Sequence, residues 1–509
     1  MMSRKLAIAA LTVASTLALS ACGGAGGGAT AEGEQTLTLG VLGEPNSWDP
    51  AQAHVGHSLQ LFQPVYDSLL RREPDGTLVP MLAEEWTWTD ASKTTLEMAL
   101  RTDVTFSDGA VFDADAVVAN IEHFKVDNGP QANQAASIES VEAVDDHTVR
   151  FQLSAPDPAL EYFLSQALGL MGSPAALGTD AMDSVPVGSG PYTMSVDQTV
   201  VGSQYVLTAR DGYWDADLQS WDTINLRVLA DGAARANAVS AKEIDATLLD
   251  ATTAQQGEQA GFELLEYPTD WSGLLLFDRG GALDPALADV RVRQAINFAF
   301  DREQLMKELA GGKGEVTSQV FGPDSSAYLP ELDDYYSYDP DKARSLLAEA
   351  GYADGLTIEL PQITPNYETI TAFIVQQLAD VGITVNATAV VQQDFLTTVQ
   401  AGKYPVAYFN LFQGPTPVAY QQLLAPTSAY NPFGSTSPEL EGAAANLGAE
   451  DEATAEQAAQ DLNRLVTEEA WFAPWYRPSQ LYFFDSSKVT VVAQQQMAVP
   501  SIYNYTPVS

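Results

Sequence analysis

Residues 289–312, DVRVRQAINFAFDREQLMKELAGG, decide how the chain is read. Val292, Ala295, Ile296 and Ala299 recur at the three-and-four spacing that lines one face of a helix with apolar side chains. Asp301 then stands where its carboxylate can cap a second helix carrying Leu305, Met306 and Leu309, which Gly311 or Gly312 can end. Downstream, YDPDKARSLLAEAGY (338–352) reads as a short helix with Pro340 in its first turn and the stripe Ala343, Leu346, Leu347, Ala350. TITAFIVQQLADVGITVNATAVV (369–391) reads as a helix closing at Gly382, followed at once by a strand through Ile383 and Val385. Upstream, QTLTLGV (35–41) has the period-2 pattern of a strand, and TLEMALRTDVTFSDG (95–109) reads as a strand hairpin. FDADAVVANIEHF (112–124) reads as a helix capped by Asp113, with Val117, Val118, Ile121 and Phe124 on one face. The Ala/Glu-rich residues 441–460 read as one further helix. Helices that hand over directly to strands predict α/β layers.

The 509 residues are 46% hydrophobic and carry a net charge of −43, or −45 once Arg4 and Lys5 are removed. Such a chain has enough apolar material for two to four cored domains. Its acidity repels phosphate backbones and anionic headgroups, which speaks against nucleic-acid binding. It either attracts cationic ligands or reflects a general acidity of secreted proteins in the host. A single cysteine, Cys22, leaves stability to core packing, because no intrachain disulfide can form.

That cysteine follows a largely apolar run of 16 residues, 6–21, preceded by Arg4 and Lys5. The run is shorter than the roughly 20 residues a membrane span needs and suits the central region of an export signal. Leu19-Ser20-Ala21-Cys22 resembles the bacterial lipobox, which implies a signal peptide over 1–21, a lipidated Cys22 and a flexible tether over 22–36. The lipid would hold the protein on the outer face of the cell membrane. The alternative is an ordinary signal peptide with an incidental cysteine.

Several blocks occur together and in order: SWDPAQA (47–53), FSDGAVFDADAVVANIEHF (106–124), VPVGSGPYTM (185–194), DGYWD (211–215), DVRVRQAINFAFDREQL (289–305), YDPDKARSLLAEAGY (338–352) and QQLADVGITV (376–385). With them the chain resembles the extracytoplasmic solute-binding proteins of ABC importers, family 5, the peptide/nickel/dipeptide group. The resemblance runs over most of residues 37–482. It implies an α/β, periplasmic-binding-protein-like type II fold, two lobes around a ligand cleft with an additional third domain. By position, domain I comprises 37–77, 188–275 and a C-terminal return over 491–509, domain II 78–187, and domain III 276–490. It also implies a monomer with no cofactor, no catalytic residue and no metal site of its own, which hands its small solute to the permease subunits of the importer. Gly188, Gly190 and Pro191 would form a tight turn, and Arg291 and Arg293 would hold helix to loop.

The same resemblance places the ligand between an early loop, GEPNSWDP (43–50), and a later one, AYFNLFQGPTPVAY (407–420). This makes Glu44, Asn46, Trp48, Phe409, Phe412 and Gln413 candidate ligand-binding residues. Trp271, in YPTDWSGLLLFD (267–278), is a further candidate; it and Phe412 read equally well as core aromatics. His54 and His57 are three apart beside the early loop, and His57 is the candidate for ligand contact. His123 and His147 read as surface residues, Trp86 and Trp88 as packing residues. One departure bears on the ligand. Peptide-binding members carry an acidic residue after the loop aromatic, where this chain has Gln413-Gly414-Pro415-Thr416-Pro417. Glu44 or Asp270 could replace that carboxylate. Otherwise a neutral pocket suits oligosaccharides or modified peptides, and a metal chelate is a further option. A secreted hydrolase is the rival class, but PVGSGP lacks the G-x-S-x-G spacing and no H-E-x-x-H occurs.

Overall fold

A computed structural model describes residues 35–127, 129–365, 367–449 and 451–508. The signal peptide, Cys22 and nearly all of the tether expected from the sequence lie outside these residues. β1 (Thr36–Val41) buries Leu37, Leu39 and Val41, as its alternation predicts. β2 (Ala83–Trp88) and β3 (Thr95–Leu100) precede α1 (Ala114–Asp127), whose Ala116 amide donates to Asp113 Oδ1 at 2.9 Å. β4 (Ile138–Asp145) and β5 (Thr148–Leu153) complete an antiparallel four-stranded sheet of order β2-β3-β5-β4. The hairpin expected over 95–109 is therefore corrected. β3 pairs with β2 and β5, strands from either side in sequence, and beyond it only an isolated Thr105–Val111 bridge forms.

β6 (Tyr192–Met194), β7 (Gln204–Ala209), β8 (Thr223–Val228) and β9 (Ala246–Leu249) join β1 in a larger sheet. Gly188 and Gly190, before β6, do not use left-handed backbone. They serve close approach, since a Cβ on Gly188 would stand 2.0 Å from the Val65 carbonyl oxygen. β10 (Glu263–Pro268) and β11 (Asp270–Leu276) follow, separated only by Thr269. α2 (Val290–Phe298) and α3 (Arg302–Leu309) are capped by Asp289 and Asp301, and Gly311 and Gly312 end α3 at φ of 61° and 75°.

β12 (Gly314–Val316), α4 (Pro340–Glu349), β13 (Leu356–Thr364), α5 (Glu368–Ala379), β14 (Ile383–Val391) and β15 (Val406–Phe412) build the next layer, with β13 and β14 parallel. The single helix expected around 441–460 is two: α6 (Pro438–Ala444) and α7 (Glu452–Glu468). Asp451 starts the second by accepting from the Thr454 amide.

β16 (Phe472–Phe484) ties the chain together. Its first residues pair with β11, and Leu481–Phe484 pair with β9 and β10. The result is a ten-stranded sheet of order β15-β11-β16-β9-β1-β8-β7-β6, with β10 and β12 also on β16. β1 is parallel to β8 and β9; the other pairs are antiparallel. Thr269 alone separates β10 from β11, and the pairing of β16 with β10 begins at Ser479 opposite Pro268. Residues beyond β16 then pack on the first segment, where Gln60 donates to the Pro500 carbonyl and to Tyr505 Oη.

Two apolar layers cover the β11–β15 half. Leu274, Leu276 and Tyr408 pack with α2, α4 and α5 on one face, while Trp271, Leu275 and Phe409 pack with α7 on the other. Buried arginines lace the first layer. Arg293 donates to the carbonyls of Leu287, Ala288 and Glu469, and Arg302 to those of Asn297, Thr317, Tyr336 and Pro474. Four carbonyls converging on one guanidinium cannot be served by any other side chain. Arg302→Met is expected to cost at least about 3 kcal/mol by leaving them unpaired. Arg302→Lys should recover only part of that loss, as read from urea unfolding midpoints.

Candidate ligand-binding site

Side-chain alternation along β11 and β15 assigns the candidate residues to opposite faces. Asp270 pairs with Phe412 and Ser272 with Asn410, on the same face as Leu274 and Tyr408; Trp271 and Leu411 point the other way. The helices cover the apolar end of this face and leave the end beside Thr269 polar and partly open.

Ser272 Oγ donates to Asn410 Oδ1 at 2.7 Å, and Asn410 Nδ2 donates to Asp270 Oδ2 at 2.8 Å. Gln480, in the middle of β16, donates to Thr269 Oγ1 at 2.9 Å and also bonds to His57. The Gln413 amide closes the group by donating to the Thr269 carbonyl at 2.8 Å. Three separate parts of the chain thus meet where the two strands cross between the halves of the large sheet. They are the early segment through His57, the crossing strands through Thr269, Asp270 and Gln480, and the end of β15 through Asn410, Phe412 and Gln413.

Burial pushes the Asp270 carboxyl up to about 6, against the bonds from Asn410 and Thr269 that favour its charge. The residue nevertheless keeps accessible surface, as expected for a group set into a cleft wall. His57 is open to solvent on one side, while the protein around it lowers the imidazole pKa. Gln480 opposes that shift and the Arg235 charge adds to it.

The remaining candidates lie elsewhere. Glu44 is exposed and already committed: its carboxylate accepts from the Gly202 amide at 2.8 Å and from Tyr205 Oη. It pins the hairpin tip between β6 and β7. Asn46 is exposed on the same loop. Trp48 is 2% exposed, with its ring 5.7 Å from Phe62 and 5.3 Å from Tyr205. Trp271 is 0% exposed, edge-on to Phe472, and Phe409 lies among Phe277, Phe395 and Tyr430. Trp48, Trp271 and Phe409, named as candidates for ligand contact, are all buried here. Each packs in a core, because strand direction or the turn before residue 50 aims it inward. Gln413 is buried, donating from Nε2 to the Val320 carbonyl, and so shapes the wall from behind; Phe412 is half-buried on the open face.

His123 is likewise no surface residue. Its Nε2 lies 2.9 Å from Asp49 Oδ2, and the same carboxylate accepts from the amides of Ala51 and Gly178, which fixes the early loop. Sequence reasoning passed over Thr269, Asn410 and Gln480. The alternation Asp270-Ser272-Leu274, polar to apolar, marks the face that Asn410 shares through its pairing with Ser272; no local signal marked Thr269 or Gln480. Among the described residues no group of three or more His, Cys, Asp or Glu could hold a metal ion, and no helix is long and apolar enough to cross a membrane.

The second segment reaches across to the third at a distance from the crossing. Lys93 Nζ donates to the Gly448 carbonyl at 2.8 Å, and Gln421 Nε2 to Asp157 Oδ1 at 2.6 Å. If Trp48 and Trp271 are core residues, alanine at either position should cost about 3–5 kcal/mol without any ligand present. Phe412→Ala should cost about 1.5 kcal/mol or less, since only part of its surface is buried. Denaturant unfolding of the three variants separates the roles.

Both the sequence and the fold have known counterparts. The profile of the bacterial extracellular solute-binding proteins, family 5 (middle), matches residues 77–431. The glutathione-binding protein GsiB of Salmonella paratyphi A is 31% identical over 351 residues, 67% of each chain. Among solved structures, HbpA2 from Haemophilus parasuis superposes with a TM-score of 0.80 at 21% identity, covering 93% of this chain and all of the other. NikA from Brucella suis, solved with Fe(III)-EDTA, gives 0.78 at 24% identity with the same coverage. These structures share the periplasmic-binding-protein fold of type II. With the profile spanning most of the chain and a relative 31% identical over two thirds of it, the protein belongs to the bacterial extracellular solute-binding proteins of family 5.

Proposed function

We propose that the protein is a lipid-anchored receptor that captures a peptide or peptide-like small solute and delivers it to the permease of an ABC importer. The observation that carries this reading is the convergence of His57, Asp270, Asn410, Phe412 and Gln480 from three parts of the chain at the strand crossing. A solute held there touches both halves of the large sheet, so binding and the angle between the halves are coupled. Backbone at the ends of β11 and β15, with amide and carboxylate side chains beside it, suits an extended peptide. The relative GsiB, glutathione-binding by name, supports a small peptide-like ligand. The lobe division in this reading is 37–77 with 188–275 and 491–509, then 78–187, then 276–490, adjusted to crossings at Thr269 and near Ser479. The chain acts as a monomer, and Cys22 carries the lipid that keeps it on the outer face of the membrane.

A thermal-shift screen of the chain beginning after Cys22 tests the reading. Its panel holds glutathione, di- to hexapeptides, N-blocked peptides, oligosaccharides and nickel or iron chelates. A ligand at about 100 times its dissociation constant adds roughly 2.7 kcal/mol of stability. Stabilisation by peptides, together with compaction in solution scattering, is the expected result. Stabilisation by sugars or chelates alone would overturn the peptide assignment. For the anchor, Cys22→Ser should release the full-length protein from the membrane fraction.

A further inference from the structure

We infer that a small cavity beside Arg71 and Arg72 is a binding site for a monatomic anion, chloride or bromide, which braces the C-terminal return against the first two segments. The cavity shares no residue with the polar strip at the strand crossing and is independent of the solute the receptor takes.

The cavity has a volume of about 10 Å³, the lower bound for one water-sized occupant. Three stretches of chain line it: Gln63, Arg71 and Arg72 from the early segment, Ser165 from the second, and Gln494 and Tyr503 from the return. Arg72 is 8% exposed, and among the described residues no carboxylate forms an ion pair with it. Its guanidinium carbon lies 4.6 Å from the centre of the Tyr162 ring. It bonds to that side chain and gives the Gln495 carbonyl one long bond of 3.4 Å. A guanidinium has more N–H donors than these partners use. Arg235, Arg293 and Arg302 are also buried, and each gives three or more bonds of 3.3 Å or shorter to backbone carbonyls. Arg477 meets the Asp333 carboxylate at 2.6 Å. Of the buried arginines among the described residues, Arg72 alone has neither a carboxylate nor a set of short carbonyl bonds.

The rest of the wall does not supply the missing counter-charge. Arg71 is paired with Glu73 at 2.8 Å, so one positive charge is left over. Asp67 acts on Tyr503, but its carboxylate accepts from Tyr213 and Trp214, and its charged neighbour is Arg210. Acceptors on the wall are taken: Gln63 Oε1 by Ser501 Oγ and the Ile502 amide, Gln494 Oε1 by Asn504 Nδ2. The hydroxyls donate elsewhere, Ser165 to the Tyr162 carbonyl and Tyr503 to the Gln63 carbonyl. What remains for the cavity is N–H, from the two guanidiniums and the Gln63 amide. Such a wall repels a cation and gives a water no free amide or carboxylate oxygen to donate to. Phosphate and sulfate exceed the space. A single-atom anion fits it and supplies the charge whose absence makes a buried guanidinium costly. Gln63 and Gln494 also hold the return to the early segment, Gln494 through the Glu73 carbonyl, so an anion between them tightens that attachment.

The test uses the chain beginning after Cys22 at constant ionic strength, with sodium gluconate, whose anion is too large for the cavity, replaced stepwise by sodium bromide. The thermal unfolding midpoint should rise with bromide and saturate, as binding to the folded state requires. Arg72→Gln should raise the half-saturating concentration at least about tenfold or remove the rise, since it deletes a charge-assisted donor. The acidic surface, at a net charge of −43, disfavours anions elsewhere, so the saturating part reports this cavity. Crystals grown in bromide should show an anomalous-scattering peak within hydrogen-bonding reach of the Arg72 guanidinium. A midpoint that is equal in both salts or never saturates, or a cavity that holds water in the bromide crystals, overturns the site. A saturating rise that survives Arg72→Gln places the anion elsewhere and overturns it as well. Should Arg72→Gln fail to fold, the bromide crystals of the unmodified chain decide alone: a peak beside Arg72 supports the site, and its absence removes it.

Discussion

The rest of the structure depends on the ladder of β16. Backbone donors and acceptors in a buried strand must be paired, and β16 meets that demand with β11 at one end and with β9 and β10 at the other. One uninterrupted strand therefore belongs to both halves of the large sheet. Thr269 makes the second link, leaving no loop in which a change of angle could be absorbed freely between β10 and β11. Any motion of one half against the other has to pass through these adjacent crossings, which the Gln480–Thr269 bond joins. Residues at the crossing are thus the ones whose environment changes with that angle, and the polar strip is built there.

Charge placement follows the same logic. Several buried charged groups have partners from the chain: carbonyls around Arg293 and Arg302, an aspartate beside Arg477, a histidine beside Asp49, and neutral hydroxyl and indole donors around Asp67. The Asn410 amide and the Thr269 hydroxyl bond to Asp270 without neutralising it. Burial raises its carboxyl pKa to about 6 against those bonds, as it does for Asp67.

Much of the fold could be read directly from local pattern, because its signals are local. Asp113, Asp289, Asp301 and Pro340 mark helix starts, and Gly311, Gly351 and Gly382 mark ends, through capping bonds and left-handed backbone that single residues impose. The failures were non-local. Nothing within residues 95–109 says that β3 will pair with β5 some fifty residues on, and Asp451 had to cap α7 before the helix around 441–460 divided in two. For the site, the sequence named the stretches 43–50 and 407–420, of which the second contributes Asn410 and Gln413 to the polar strip at the crossing, and which side chains share a face was not legible. That depends on strand parity: Trp271 and Asp270 are neighbours in sequence, and the pleat sends one into a core and the other into the opening. His123 was misread for the same reason, since its partner Asp49 is 74 residues away.

The overall acidity of the chain and the single carboxylate at the crossing act on different scales. A net charge of −43 creates a field that draws cationic solutes from a distance, but salt screens exposed charges beyond about 8 Å under physiological conditions. That field raises encounter rates without choosing among positively charged groups. Asp270, set among neutral neighbours and partly shielded from water, is screened far less. Its interaction with a cation therefore depends on the donor geometry offered to it. Short-range discrimination among cations is thus a matter of contact geometry, and the acidic surface acts only at long range.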